Sequence, residues 1–358
     1  MAWEVGPEEV EAIALGAGIL GTGGGGNPYL GKLHLLQELR DGRRVRMIDP
    51  AEVRDDAVLI AVSGMGAPTV TLEKLAWGRE FYEAFRALER HTGTQAEAVV
   101  CGEVGGANSM SPLLLAVQTE LPCVDADPMG RAFPELQMDT FSIYGVNNSP
   151  AALCDDKGNI VVLDKALTPR WAETLFRAAT IAMGGHAGLA MPYLTGEQMK
   201  RTAIWGTMTL ALRLGQAVFE ARRRREPPEQ AVLAVAGGLV LFRGKIVDVE
   251  RRTMGGFARG RLTMQGLGPD GGRTMTIDFQ NENLIARSGD EILATVPDLI
   301  CILDEETAEP ITTEVLRYGL RVVVLGLPAD AKLCTEQALK VVGPGAFGYD
   351  LRYRPLRV

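Results

Sequence analysis

The chain has 358 residues, 46% of them hydrophobic and 23% charged, with a net charge of −8. This is an ordinary globular composition, long enough for two domains, and its acidic balance argues against a general nucleic-acid binder, which draws most of its non-specific affinity from a basic surface. Five cysteines without a C-x-x-C pair and three histidines without H-x-x-H spacing argue against a disulfide framework and a sequence-local zinc site.

Residues 7–20 open with Pro7, Glu8 and Glu9 and carry Val10, Ile13, Ala14, Ala17 and Ile19 at helical spacing. No basic segment precedes them and no apolar run reaches membrane-spanning length, so the expectation is a cytoplasmic protein. The helix runs into four consecutive glycines, Gly23, Gly24, Gly25 and Gly26, followed by Asn27 as a helix cap and Pro28 at the first position of a second helix reaching about Arg40. A backbone without side chains that feeds a helix N-terminus is suited to an anion or to the acidic edge of a heterocycle. Nucleotide motifs fit poorly. Gly16, Gly18 and Gly21 match G-x-G-x-x-G but follow a helix where the dinucleotide fingerprint needs a strand, and Leu33 stands where a Walker A motif needs a hydroxyl.

Residues 44–48 and 57–62 read as strands, the second an apolar run of the kind buried on both faces, and residues 63–68 as a glycine-containing loop at its end. A helix over 77–91, a strand over 96–101, a loop over 102–109, a helix through 113–119 and a short strand over 122–125 complete an order that favours a parallel sheet. Glu103 and Asp125 fall just past successive strands, with Asp127, Arg131 and Glu135 close behind. Ligand sites in such sheets form at strand ends, although Asp127 could equally cap the turn at Pro128 and Arg131 could pair with a carboxylate.

Residues 151–154 and 159–163 flank a hairpin turn, 168–183 suit a helix, and 184–188 form another glycine-rich break that contains His186. His186 is either a general base or donor, since imidazole titrates near neutrality, or a structural side chain. One long helix is expected over 195–224, its end marked by the basic run Arg222 to Arg225 and by Pro227. Beyond Gly237 the texture turns to strands: 239–242, 245–252, 257–265, 273–279, 284–286 and 300–304, with a buried strand at 321–325 and a short helix at 335–341. The expected division is residues 1–167, an N-terminal α/β domain with the glycine-rich loop, and residues 168–358, helices followed by a β-rich region.

Segments 20–28, 102–108, 125–127 with 130–136, 248–260, 279–284, 295–300 and 343–350 together resemble the DUF917 family, also called the S-methyl thiohydantoin desulfurase family. The resemblance spans nearly the whole chain. It implies an α/β protein with a Rossmann-like layered N-terminal domain and a C-terminal β-rich, swivelling-type domain. It also implies a hydrolase of the hydantoin pathway that converts an S-methylated thiohydantoin to a hydantoin and methanethiol. The alternative is a non-catalytic hydantoin-binding subunit that serves a hydantoinase or oxoprolinase-type enzyme.

Such a reaction needs a base for water and donors for developing negative charge. The inferred convergence of these segments leads to the expectation that the glycine-loop amides, Asn27 and Asn108 orient the ring, that Glu103 or Asp125 is the base with His186 as a further catalytic candidate, and that Arg131 steadies a carboxylate or charge. A divalent metal held by Asp125, Asp127 and Glu135 would also activate water, and Cys101 is an alternative nucleophile. The expected partners are a small hydantoin-like substrate, a hydantoinase or oxoprolinase-type protein and further copies of this chain, with neither nucleic acid nor membrane.

Overall fold

The computed structural model describes residues 2–67, 70 and 73–356; Pro68, expected to end the 63–68 loop, and the last two residues of the second domain lie outside them. The first half of the chain builds β1 (Trp3–Val5), β2 (Val45–Ile48), β3 (Val58–Gly66), β4 (Ala98–Cys101), β5 (Cys123–Val124), β6 (Ala126–Asp127), β7 (Ala151–Cys154) and β8 (Ile160–Leu163), and β9 (His186–Thr195) and β10 (Ile204–Trp205) follow. Eight of these form one mixed sheet in the order β1-β2-β5-β4-β3-β9-β7-β8. Its centre, β2-β5-β4-β3, is parallel as the element order implied. β4 is buried at every position, which is why it reads as a continuous apolar run.

Two stretches that resemble loops are strand. β3 continues through Gly66 and pairs antiparallel with the start of β9, Gly64 opposite Gly188 and Gly66 opposite His186. Each glycine-rich segment is the other's partner, and neither shows the apolar alternation that marks a strand from sequence. β9 comes from beyond residue 168, so both halves of the chain contribute to this sheet.

The expected 195–224 helix is two helices, Gly196–Thr202 and Thr207–Arg224. Between them Ile204 and Trp205 pair with Asp127 and Ala126 of β6, and Gly206 takes a φ of +75° that permits the turn. The second helix of the chain, Tyr29–Glu38, begins later than expected. Pro28 takes the cap position, and Asn27 Oδ1 accepts from Tyr29 N at 2.9 Å.

The second half builds β11 (Leu239–Met254), β12 (Phe257–Gly266), β13 (Thr274–Gln280), β14 (Glu282–Ser288), β15 (Glu291–Thr295), β16 (Leu299–Asp304) and β17 (Arg321–Leu327), an antiparallel sheet in the order β15-β14-β13-β12-β11-β17-β16. The two strands expected at 239–242 and 245–252 are the single strand β11, irregular in register at Val240/Phe242 and at Ile246/Asp248. The sheet curls into a half-barrel, closely enough that Asn283 of β14 donates through Nδ2 to the Ile300 carbonyl of β16 at 2.9 Å.

The two halves share a core. Val10, Ile13 and Ala17 of helix Pro7–Leu20 pack with Leu214 and Val218 of helix Thr207–Arg224 and with Leu303 and Leu325 of the half-barrel. Gly16 and Gly215 let the two helices touch: a Cβ on Gly16 would lie 1.9 Å from the Ala211 carbonyl oxygen, and one on Gly215 would lie 1.9 Å from that of Ala12. Gly16, the first glycine of the G-x-G-x-x-G match, is thus a helix-packing residue. Gly16→Ala is expected to lower unfolding free energy by about 1–3 kcal/mol in a urea titration, because a methyl group must push the helices apart. An increase of about 1 kcal/mol, as helix propensity alone would give, would refute the close crossing.

Candidate functional site

The glycine loop is held between the two halves of the chain. On one side, Asn283 N donates to Thr22 O at 2.8 Å and Thr313 N to Gly23 O at 2.7 Å; on the other, Ala107 N donates to Gly25 O at 3.0 Å. Gly23 and Gly24 therefore pack against the half-barrel, and a Cβ on Gly24 would fall 2.0 Å from Glu282 Oε1. Gly25, Gly26 and Asn27 face the other way and line a cleft of about 240 Å³.

Glu103, Asn108 and His186 line the same cleft. Asn108 Oδ1 accepts from Gly64 N at 2.6 Å, which fixes the amide so that Nδ2 donates to Glu103 Oε1 at 2.9 Å. Glu103 Oε2 accepts from Phe133 N at 3.4 Å. Burial pushes the Glu103 carboxyl well above the ordinary range, the charge of Glu282 pushes it further, and the Asn108 and Phe133 donors oppose both.

Glu282, which opens β14, was not singled out from sequence. It is 2% exposed, lines the cleft and accepts from Gly25 N at 3.3 Å. Burial raises its pKa to about 8, although the Arg131 charge and the Gly25 amide pull the other way. In sequence the run Gln280 to Asn283 reads as a hairpin turn, and Asn281 has a φ of +57°. The available signal was an acid between two asparagines inside one of the segments that carry the family resemblance.

His186 sits beside Gly64, where an added Cβ would come 2.9 Å from its Nε2. Desolvation, followed by the nearby Lys74 charge, lowers its pKa to about 4, with Asp156 opposing. The ring is therefore neutral at physiological pH, able to donate from one nitrogen and accept at the other.

Other sequence candidates have structural placements. Asp125 Oδ1 accepts from Met208 N at 2.9 Å and Thr209 N at 3.0 Å, capping helix Thr207–Arg224. Asp127 accepts from Val104 N at 2.9 Å, Met129 N at 3.1 Å and Gly130 N at 3.0 Å, the turn-capping alternative open from sequence. Arg131 is fully buried and donates to backbone carbonyls and to the Thr22 hydroxyl, away from the cleft. Glu135 lines the cleft but is paired with Arg170 and Gln137. Backbone amides and the Thr209 hydroxyl occupy the oxygens of Asp125, backbone amides occupy those of Asp127, and among the described residues no group of three or more His, Cys, Asp or Glu is placed to hold a metal ion. Asp125, Asp127 and Glu135, the candidate ligands from sequence, thus do not fit a metal site. Cys101 is buried, its thiol pushed well above the ordinary range by burial and then by Asp127.

Family models match residues 8–165 as the S-Me-THD-like N-terminal domain and residues 168–356 as the S-Me-THD-like C-terminal domain. The chain belongs to the S-methyl thiohydantoin desulfurase-like (S-Me-THD-like) family. This S-Me-THD-like chain is also similar to a protein from Chromobacterium violaceum whose crystal structure came from a structural genomics consortium. The two share 27% identity with a TM-score of 0.83, over 99% of this chain and 100% of the other. No curated protein matches it significantly. Within the S-Me-THD-like frame, Glu103 comes from the N-terminal domain and Glu282 from the C-terminal domain. No helix among the described residues is long and apolar enough to cross a membrane.

The raised Glu282 pKa has a consequence for stability. The folded state binds a proton that the unfolded state releases above about 4.5, so stability attributable to this group is fully present below that pH and is lost as pH rises through about 8. Glu282→Gln removes this dependence. Urea unfolding across the window is expected to show wild-type stability falling relative to the variant, by at most about 1.4 kcal/mol per pH unit. Parallel pH profiles would mean that Glu282 is not desolvated as described.

Proposed function

We propose that the cleft hydrolyses S-methyl thiohydantoin-like rings to a hydantoin and methanethiol. The observation that carries this reading is the pair of buried carboxyls, Glu103 and Glu282, one from each domain, lining one cleft with pKa values displaced upward. Two carboxyls that repel each other in a dry site tend to hold one proton between them, so one acts as base while the other acts as acid near neutral pH.

The reaction requires both. Water attacks the ring carbon that bears sulfur, forming a C–O bond and giving one proton to the ionised carboxylate. The C–S bond then breaks, and the departing sulfur takes the proton held by the other carboxyl and leaves as methanethiol. The remaining hydroxyl proton passes to the ring nitrogen, whose double bond to that carbon opened on attack, which leaves the C=O and N–H of the hydantoin. Water is the sole co-reactant, and the acid and base exchange states in each turnover.

In this reading Asn108 is a positioning residue: it receives the Gly64 amide and holds Glu103. Neutral His186 and the Gly26–Asn27 backbone, beside helix Tyr29–Glu38, supply hydrogen bonds to the polar edge of the ring. Asp125 and Arg131 act on the frame rather than on substrate. The product would pass to a ring-opening enzyme of the hydantoinase type.

Methanethiol release from a panel of S-methyl thiohydantoins tests the proposal. Glu103→Gln and Glu282→Gln are each expected to lower kcat by roughly 10²–10⁴-fold, with hydantoin binding retained. A folded wild type that binds hydantoin and releases no methanethiol would instead support the non-catalytic binding subunit.

A further inference from the structure

The two edges of the eight-stranded sheet differ in kind. β1, at one end, is three residues long and carries an exposed Glu4, the short and charged form that keeps an edge from pairing with other chains. β8, at the other end, is Ile160, Val161, Val162 and Leu163 without a charge, and among the described residues it pairs with β7 alone. Ile160, Val161 and Val162 are all exposed.

The chain continues from β8 into helix Pro169–Ala182, which packs Phe176 and Ala179 against Leu153, Leu163 and Leu189 of the sheet. Its charged residues, Arg170, Glu173 and Arg177, share one flank. Arg170 pairs with Glu135, Glu173 accepts from Leu136 N at 3.0 Å, and Arg177 lines the cleft. The opposite flank carries Trp171, Leu175, Ala178 and Ala182, the i, i+4, i+7, i+11 spacing of a helix–helix seam. Trp171 is 55% exposed and Leu175 47%, and the two alanines leave room for another helix to come close.

An uncharged helix flank beside an uncharged strand edge is costly to leave in water. A second copy of this chain covers both at once. Antiparallel pairing of β8 with its own copy sets a two-fold axis perpendicular to the sheet, so the two copies of helix Pro169–Ala182 lie on the same side of the continued sheet. An unrelated strand would cover β8 and leave the seam open. At the ordinary size of such side chains, the exposed fractions of Ile160, Val161, Val162, Leu167, Trp171 and Leu175 amount to roughly 600 Å² per copy, most of the roughly 800 Å² per partner in a standard stable interface. The alanines and the paired backbone edge add to that area.

We propose that the chain forms a two-fold dimer through β8 and the uncharged flank of helix Pro169–Ala182, with one sheet running through both copies. Because Arg177 stands on the other flank, the interface leaves the cleft open and braces from outside the helix that carries Arg177 to it.

Sedimentation velocity of the full chain tests the proposal. The wild type is expected to sediment as a dimer at micromolar concentration. Leu175→Arg sets a cation in the seam and Val162→Lys sets one on the edge strand. Each is expected to raise the dissociation constant about 30-fold or more, with far-UV circular dichroism unchanged because both side chains already reach solvent. Tyr318→Arg, at an apolar side chain 71% exposed on the other domain, is expected to remain dimeric. Hydrogen exchange adds a reading that links the two surfaces: amides of residues 160–163 are expected to exchange faster in Leu175→Arg than in the wild type, although Leu175 lies outside β8.

A monomeric wild type overturns the proposal, as does an assembly that survives either Leu175→Arg or Val162→Lys. Dissociation by Tyr318→Arg, or β8 exchange unchanged in Leu175→Arg, overturns it as well. A larger assembly that both interface variants halve supports the two-fold pair.

Discussion

A buried guanidinium holds the two halves of this protein in register. Arg131 has no solvent exposure, and its N–H groups meet the carbonyls of Ala132, Pro297, Asp298 and Asn283 and the hydroxyl of Thr22. Phe133 stacks 4.6 Å from the guanidinium. Burial lowers the pKa to about 10, partly offset by the carboxyl groups of Glu282, Asp298 and Glu103. The planar fork suits this task, since its donors diverge in fixed directions and reach acceptors on separate segments. Thr22 opens the glycine loop, Asn283 follows Glu282, and Pro297 and Asp298 lie in the turn before β16. Locking these segments together also places the loop against the glutamate.

From that constraint follows the character of the cleft. Glu282 sits where a glycine is needed to pass it, and among the described residues its Oε2 has no hydrogen-bond partner. An arrangement of this kind costs stability, because each carboxyl has left water for incomplete compensation. The cost persists only where the rest of the fold over-determines the geometry, as the shared core of helix Pro7–Leu20 and the half-barrel does. The same desolvation raises both carboxyl pKa values, and it brings that of Glu282 to about 8, close to where proton transfer is useful at neutral pH.

Residues that looked alike in sequence took different work. Glu103, Asp125 and Asp127 all follow short buried strands, yet only Glu103 reaches the cleft. Asp125 lies opposite the start of a helix that begins only because Gly206 turns the chain there, and Asp127 lies among the amides of Val104, Met129 and Gly130. Once an aspartate's oxygens are taken up by backbone donors it is part of the frame. Strand-end position was informative for the group and uninformative for each member. Glu282 was missed for the converse reason: a hairpin residue becomes a site residue only when another domain folds over it.

The sequence by itself determined the locally encoded features: the first helix, the buried parallel strands, the β-rich second half, the backbone-only character of the glycine loop, and the family. Each follows from apolar periodicity, from the absence of side chains, or from motifs read in order along the chain. It also named Gly25, Gly26, Asn27, Glu103, Asn108 and His186, which the fold brings to one cleft. Tertiary structure alone decided that Gly64 would pair with Gly188, that Arg131 would hold the frame, and that Glu282 would join Glu103. The physical reason is that a polar group's role depends on its hydrogen-bond partners and its burial, and here both come from segments distant in the chain.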